Sequence, residues 1–278
     1  MASLSLPRLS GMSPAARPTA AFFDLDKTII AKSSTFAFSR HFQEGGLISR
    51  ASVLRSAYTQ FVYVVGGADH DQMEKMRQFM SQLCAGWDVE TVKEIVADTL
   101  HHNIDPLVYE EAVRLIRQHH EAGRDVIIVS TSGSEVVEPI GEMLGADHVV
   151  ATRLAIEDGK YTGDIRFYAY AENKAKAIKD LARKRGYDLT RSYAYSDSIT
   201  DRFMLEAVGH PYAVNPDKEL RKLAREREWP VLVFDKPVEL RSRVQLPPTK
   251  PTLAAAAVGG LVAAGATAWW RRRRGSPV

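Results

Sequence analysis

The way the apolar runs of this chain end is the feature that most limits the folds open to it. Four short runs, "AAFFD" (20–24), "DVIIVS" (125–130), "SYAYSD" (192–197) and "PYAV" (211–214), have the length and apolar density of buried strands. Each stops at polar residues. "HVVAT" (148–152) and "VLVF" (231–234) read as additional strands, and helical patterns fall between the later runs: "SEVVEPIGEML", "NKAKAIKDLARKRG" and "DRFMLEAV". Strands alternating with helices predict an α/β fold with a mostly parallel sheet covered on both faces. In such sheets ligands bind beyond the carboxyl ends of the strands, where the polar residues of this chain collect.

The alternation is broken once. From about Ser34 to His102 the pattern is helical throughout: a helix from Thr35, then "LISRASVLRSAYTQFVYVV", "DHDQMEKMRQFMSQLC" and "DVETVKEIVADTL", punctuated by Gly66/Gly67 and Gly86. This predicts an all-helical module inserted after the first strand. Further on, "RLAIEDGKYTGDI" (153–165) reads as a β-hairpin turning at Asp158-Gly159. The organisation expected is a flexible Pro-, Ser- and Ala-rich leader (1–19), an α/β core (20–33 and 103–245), a helical cap (34–102), a linker (246–251), a hydrophobic span (252–270) and a basic tail (271–278). The 278 residues suffice for a large core plus such an insertion, and 45% apolar and 26% charged residues are ordinary globular values.

Composition excludes several functions. A net charge of +3, with four positives in Arg271–Arg274 alone, gives no case for nucleic acid as a partner. The single Cys84 cannot form an internal disulfide or a cysteine-based zinc site and fits a reducing compartment. The eight histidines lack metal-ligand spacing and read as surface or packing residues. The apolar stretches of the leader are too short for a signal peptide.

Chemistry is concentrated in "AFFDLDKTII". Asp24 and Asp26, two apart on an extended chain, lean to the same side. As a bare pair they read equally well as a turn or cap. Two more acids, Asp197 and Asp201 in "YAYSDSITDRF", lie at another strand end, and several acids converging there point to a divalent cation with oxygen ligands, Mg²⁺. The run "STSGS" (130–134) offers hydroxyls and helix-start N–H groups to an anion. Lys174 adds a positive charge near its helix start, with Lys176 as a rival.

These residues resemble a known family. "DLDKT" is similar to the D-x-D-x-T signature of the haloacid dehalogenase superfamily, "VIIVS" to its second motif, Lys174 to its third and "SDSITD" to its D-x-x-x-D fourth motif. Order and spacing resemble the phosphoserine-phosphatase-like branch, subfamily IB, over roughly residues 20–225. The resemblance implies a Rossmann-like core with an inserted C1-type helical cap. It implies that Asp24 is the nucleophile that forms an aspartyl-phosphate and Asp26 the general acid and base. Mg²⁺ would be held by the Asp24 carboxylate, the backbone carbonyl of Asp26 and Asp197, with Asp201 in support. Thr28 would steady the loop, and Thr28, Ser130, Thr131 and Lys174 would make up the phosphate-binding set. Two departures stand out. Ser196 and Ser198 occupy places where the family commonly has glycine, which predicts an altered loop. Ser33 stands where phosphoserine phosphatases carry a glutamate that reads the substrate's amino group, which argues against phosphoserine.

The tail supplies the last expectation. "TLAAAAVGGLVAAGATAWW" (252–270) is uncharged, is long enough to span roughly 28 Å as a helix, and leads into four arginines. Ala256, Gly260, Ala264 and Ala268 form a small-residue ridge that could pair two such helices into a homodimer. Arginines on the far side run against the positive-inside tendency if the enzyme domain is cytoplasmic. With the aromatics Phe36, Phe38, Tyr58, Phe61 and Tyr63 of the cap, this predicts a membrane-tethered phosphomonoesterase at the cell membrane, with a single C-terminal pass and an amphiphilic or lysophospholipid-like phosphate as substrate. The alternatives are a soluble cytoplasmic phosphatase of small metabolites and a low-turnover regulatory or scaffolding protein of the same fold.

Overall fold

The computed structural model describes residues 17–47 and 82–235. Its centre is β1 (Ala20–Phe23), with all four residues buried. β2 (Asp125–Gly133) lies parallel on one side of it and β5 (Tyr193–Ser196) parallel on the other. Beyond β2 come β3 (His148–Glu157) and β4 (Lys160–Phe167); beyond β5 come β6 (His210–Val214) and β7 (Val231–Leu232). The order is β4-β3-β2-β1-β5-β6-β7, parallel except for the β3/β4 pair. The chain leaves β1 toward β2 and later returns to β5 on its other side. That reversal opens a crevice beyond the carboxyl ends of β1 and β5, where doubly wound sheets bind ligands.

The two-residue side-chain period of the central strands explains why the sheet is covered on both faces. Ala21, Phe23, Val126 and Ile128 enter one core, together with Ala112 and Ile116 of α3 (Glu110–Glu121) and Val137 and Ile140 of α4 (Ser134–Leu144). Ala20, Phe22, Ile127 and Val129 enter the other, with Ile178 and Ala182 of α5 (Glu172–Arg185), Met204 and Leu205 of α6 (Arg202–Leu205), and Leu220 and Ala224 of α7 (Lys218–Glu226). Phe22 and Phe23 are both fully buried. Each contributes about 1.5–3 kcal/mol by leaving water.

Of the inserted helical module, α1 (Ser34–Glu44) and α2 (Val89–Ile104) are described. Asp88 caps α2 by accepting the Thr91 N–H at 2.8 Å, and α2 runs to Ile104, two residues past the boundary drawn from the sequence at His102. Apart from Leu47 and residues 82–84, the two middle helices expected from the sequence, and Tyr58, Phe61 and Tyr63 with them, lie outside the described residues. So do residues 246–278, and with them the linker, the hydrophobic span and the basic tail. Among the described residues no helix is long and apolar enough to cross a membrane.

Three details differ from the sequence reading. "HVVAT" and the first arm of the hairpin are one continuous strand, β3, parallel to β2 at its start and antiparallel to β4 at its end. Asp158 (φ 48°) and Gly159 (φ 75°) form the turn, as two-residue hairpins require. β2 continues to Gly133 through a register shift between Ser130 and Gly133. Helices α3 and α7 had not been picked out by periodicity.

Candidate active site

β1 ends with Phe23 in the core, but pairing with β5 persists one residue further: the Asp24 N–H donates to the Tyr195 carbonyl at 2.9 Å. This holds Asp24 at the crevice. The chain then turns sharply, with the N–H groups of Ile29 and Ile30 both on the Leu25 carbonyl and Lys27 at φ 61°. The turn brings Thr28 back, and its hydroxyl donates to Asp24 Oδ2 at 3.2 Å.

Asp24 is 6% exposed, and its Oδ1 accepts from Lys174 Nζ at 2.6 Å. Lys174 reaches the crevice from the first turn of α5, is 2% exposed, and also donates to Asp201 Oδ2 at 2.8 Å. Lys176 is exposed. Burial works against the Lys174 charge, but the carboxylates of Asp201 and Asp24 outweigh it and raise its pKa above that of an ordinary lysine. Burial also pushes the Asp24 carboxyl up. Lys174 opposes that shift, while Asp201, Asp197 and Asp26 add to it.

The loop after β5 positions the second group of acids. Ser196, fully buried, donates its hydroxyl to Asp201 Oδ2 at 2.7 Å and accepts the Ser198 N–H at 3.2 Å. A glycine there could do neither, so this departure from the family pattern adds a ligand to Asp201. Asp217 ties the loop down: it accepts from Ile199 N–H at 2.9 Å and caps α7 through Leu220 N–H at 2.7 Å. Its own N–H donates to the Asp197 carbonyl. Burial, then the Asp201 charge, raise the Asp197 pKa to about 7, with Lys27 pulling the other way.

The β2 end supplies the hydroxyls. Ser130, 1% exposed, accepts the Ser132 N–H at 3.1 Å, which leaves its own proton for an anion. The Thr131 hydroxyl instead donates to the Ala169 carbonyl at 3.0 Å, so its one proton is committed to backbone. Ser132 donates to Asp26 Oδ2 at 2.9 Å, and Asp26 Oδ1 accepts the Ser34 N–H at 2.6 Å. The sequence reading offered the Ser132 hydroxyl to an anion, whereas here it donates to Asp26, and it passed over Ser34 and Asp217, whose roles depend on contacts across the fold. Among the described residues, the Asp24, Asp26, Asp197 and Asp201 acids share one neighbourhood with one buried cation, Lys174. Among the described residues, no three His, Cys, Asp or Glu side chains already stand in metal-holding geometry. The donor set nevertheless fits Mg²⁺. It consists of hard carboxylate oxygens in excess of positive charge, and at Asp24 and Asp197 burial favours the neutral acid unless a cation compensates.

A family model described as haloacid dehalogenase-like hydrolase matches residues 21–206. The chain is 62% identical over 245 residues, 87% of its length and 88% of the relative, to the inhibition of morphological differentiation protein of Streptomyces azureus. It is 57% identical over 249 residues, 90% of its length and 86% of the relative, to a probable phosphatase of Mycobacterium tuberculosis. It is 31% identical to histidinol-phosphatase of Neisseria meningitidis, covering 77% of this chain and 98% of that one. Among solved structures, a Bordetella pertussis protein of unknown function superposes with TM-score 0.66 and 28% identity over 78% of this chain and 99% of the other.

Proposed function

The chain belongs to the haloacid dehalogenase-like hydrolase family and is a phosphatase of that family, and we propose that it hydrolyses small soluble phosphate monoesters through an aspartyl-phosphate on Asp24. The observation that carries this reading is the pairing of Asp24. It is a buried carboxylate at the mouth of the crevice, one oxygen on a lysine and the other on a threonine hydroxyl, with a second carboxylate, Asp26, two residues on.

Asp24 attacks phosphorus as the ester P–O bond breaks. Asp26 gives its proton to the departing alkoxide, then takes one from the water that cleaves the acyl phosphate, which restores Asp24 and releases phosphate. The Ser130 hydroxyl and the Lys174 ammonium hold phosphoryl oxygens while negative charge shifts onto them. The Asp24 carboxylate, the Asp26 carbonyl and Asp197, with Asp201 in support, would hold Mg²⁺, which would neutralise charge on the phosphoryl group.

Support for a small soluble substrate comes from the 31%-identical relative, whose name specifies histidinol phosphate. The membrane-tethered, lipid-phosphate reading rests on residues 252–270 and the cap aromatics; the span and Tyr58, Phe61 and Tyr63 lie outside the described residues, and Phe38 is fully buried in the core. A regulatory reading draws its support from the name of the 62%-identical relative, and it is compatible with turnover of a signalling phosphate.

The test is hydrolysis by the purified chain of a panel that includes histidinol phosphate, phosphoserine, an aryl phosphate and lysophosphatidate. Mg²⁺-dependent turnover that stops in EDTA and in Asp24→Asn is expected, with small metabolites preferred over the lipid and phosphoserine a poor substrate. A folded protein with no turnover of any member refutes the enzymatic reading.

A further inference from the structure

The Asp26 carboxylate is gripped at both oxygens by two different parts of the fold. Oδ1 accepts the Ser34 N–H at 2.6 Å, at the start of the eleven-residue helix α1, whose unpaired N–H groups carry partial positive charge. Oδ2 accepts the Ser132 hydroxyl at 2.9 Å. The Ser132 oxygen in turn accepts the hydroxyl of Ser34, itself fully buried, at 2.9 Å, and Thr35 Oγ1 stands 3.2 Å away. Ser132 sits in the irregularity between Ser130 and Gly133 where β2 shifts register against β3, the kind of bulge that re-aims a side chain at a strand end. Its backbone is pinned by the Ser130 hydroxyl. A general acid works only when its proton points at the departing oxygen, and a carboxyl held at one oxygen alone still swings about its last bond.

From this geometry we propose that Ser132 is a positioning residue for Asp26. Through the Ser34 hydroxyl it links the orientation of the proton donor to the first helix of the inserted module. The inference rests on the phosphatase reading above. It concerns the step in which the ester P–O bond breaks, the bond from Asp24 to phosphorus forms, and the Asp26 proton passes to the leaving oxygen. An alkoxide needs that proton; a phenolate bearing a nitro group leaves without it. Loss of Ser132 therefore harms alkyl phosphates far more than nitrophenyl phosphate, a discrimination that a general loosening of the fold would not produce.

The experiment measures kcat/KM, which includes only the steps through alcohol release, for the full chain with Mg²⁺ on glycerol phosphate and on p-nitrophenyl phosphate. Ser132→Ala is expected to lose about 30–100-fold on the alkyl ester and about 3-fold on the aryl ester, and Ser132→Thr, which keeps the hydroxyl, to recover most of the loss. Ser34→Ala is expected to show the same asymmetry at about a third of its size, and it serves as the second variant if Ser132→Ala does not fold. Equal losses on the two esters, or failure of Ser132→Thr to recover activity while folded, overturn the positioning role. A folded wild-type protein inert toward both esters and toward every member of the panel above removes the phosphatase reading and this inference with it, an outcome distinct from equal losses in the variants.

Discussion

Acidification should weaken this fold through His119, and the size of the effect follows from its surroundings. His119 lies on α3 beneath the strand that leads to Asp197 and is 3% exposed. Its Nδ1 accepts from Arg124 Nε at 2.7 Å, so the neutral ring carries its proton on Nε2, 2.9 Å from the Tyr195 hydroxyl. The rings of Phe23, Tyr193 and Tyr195 meet it at 5.8, 4.9 and 5.6 Å. Burial, then the charge of Arg124, lower its pKa to about 4 from 6.5. Above about pH 6.5 the ring is neutral in both the folded and unfolded chain and contributes no pH dependence. As the pH falls from there toward 4, the unfolded chain binds a proton that the folded one refuses, and stability is lost across that window. The ideal loss at pH 5 is about 2 kcal/mol; solvent screening reduces it to about 1–2 kcal/mol. Urea denaturation at about pH 7.5 and pH 5, on the wild type and on His119→Phe, isolates this share. The variant, though less stable at the higher pH, should lose about 1–2 kcal/mol less on acidification. An imidazole that titrates near 6.5 by NMR, or a variant that loses as much as the wild type, refutes the reasoning.

Other outcomes follow from single contacts. Lys174→Met leaves the Asp24 and Asp201 carboxylates facing each other in the interior and should cost about 3–5 kcal/mol in urea denaturation, part of which Lys174→Met/Asp201→Asn recovers. Mg²⁺ at a hundredfold its dissociation constant should add about 2.7 kcal/mol of stability to the wild type and much less to Asp197→Asn, read as a thermal shift against EDTA. A Cβ at Gly209 would sit 1.7 Å from the Thr190 carbonyl oxygen, so Gly209→Ala should destabilise by about 3 kcal/mol or more, or prevent soluble expression. Asp88→Ala removes the cap of α2 and should cost about 1 kcal/mol while leaving the sheet intact, measured by urea denaturation with far-ultraviolet circular dichroism.

Much of the fold was legible because its signals are local. Apolar runs of four to six residues marked β1, β2, β5 and β6, and Asp158-Gly159 marked the hairpin turn. Helix α3 escaped although its signal is present: Ala112, Val113, Leu115 and Ile116 recur at helical spacing and pack on the core. The continuity of β3 escaped because a strand that changes partners midway shows no break in its own residues. At the site, Asp24, Asp26, Asp197, Asp201, Ser130 and Lys174 were legible as residues that share a crevice. That Ser34 and Ser132 hold Asp26 was not, since hydroxyls of this kind serve turns and caps throughout a protein.

The amino-acid order by itself determined which segments are strands and helices, and that acids and hydroxyls fall at strand ends, because periodicity and turn chemistry act over a few residues. Tertiary structure alone decided the partners. Lys174 meets Asp24 across 150 residues of chain, and Ser132 meets Asp26 across 106. Such pairs exist because β2 and β5 flank β1 in the sheet. That strand order is set by how two apolar faces are buried together, and no single segment encodes it.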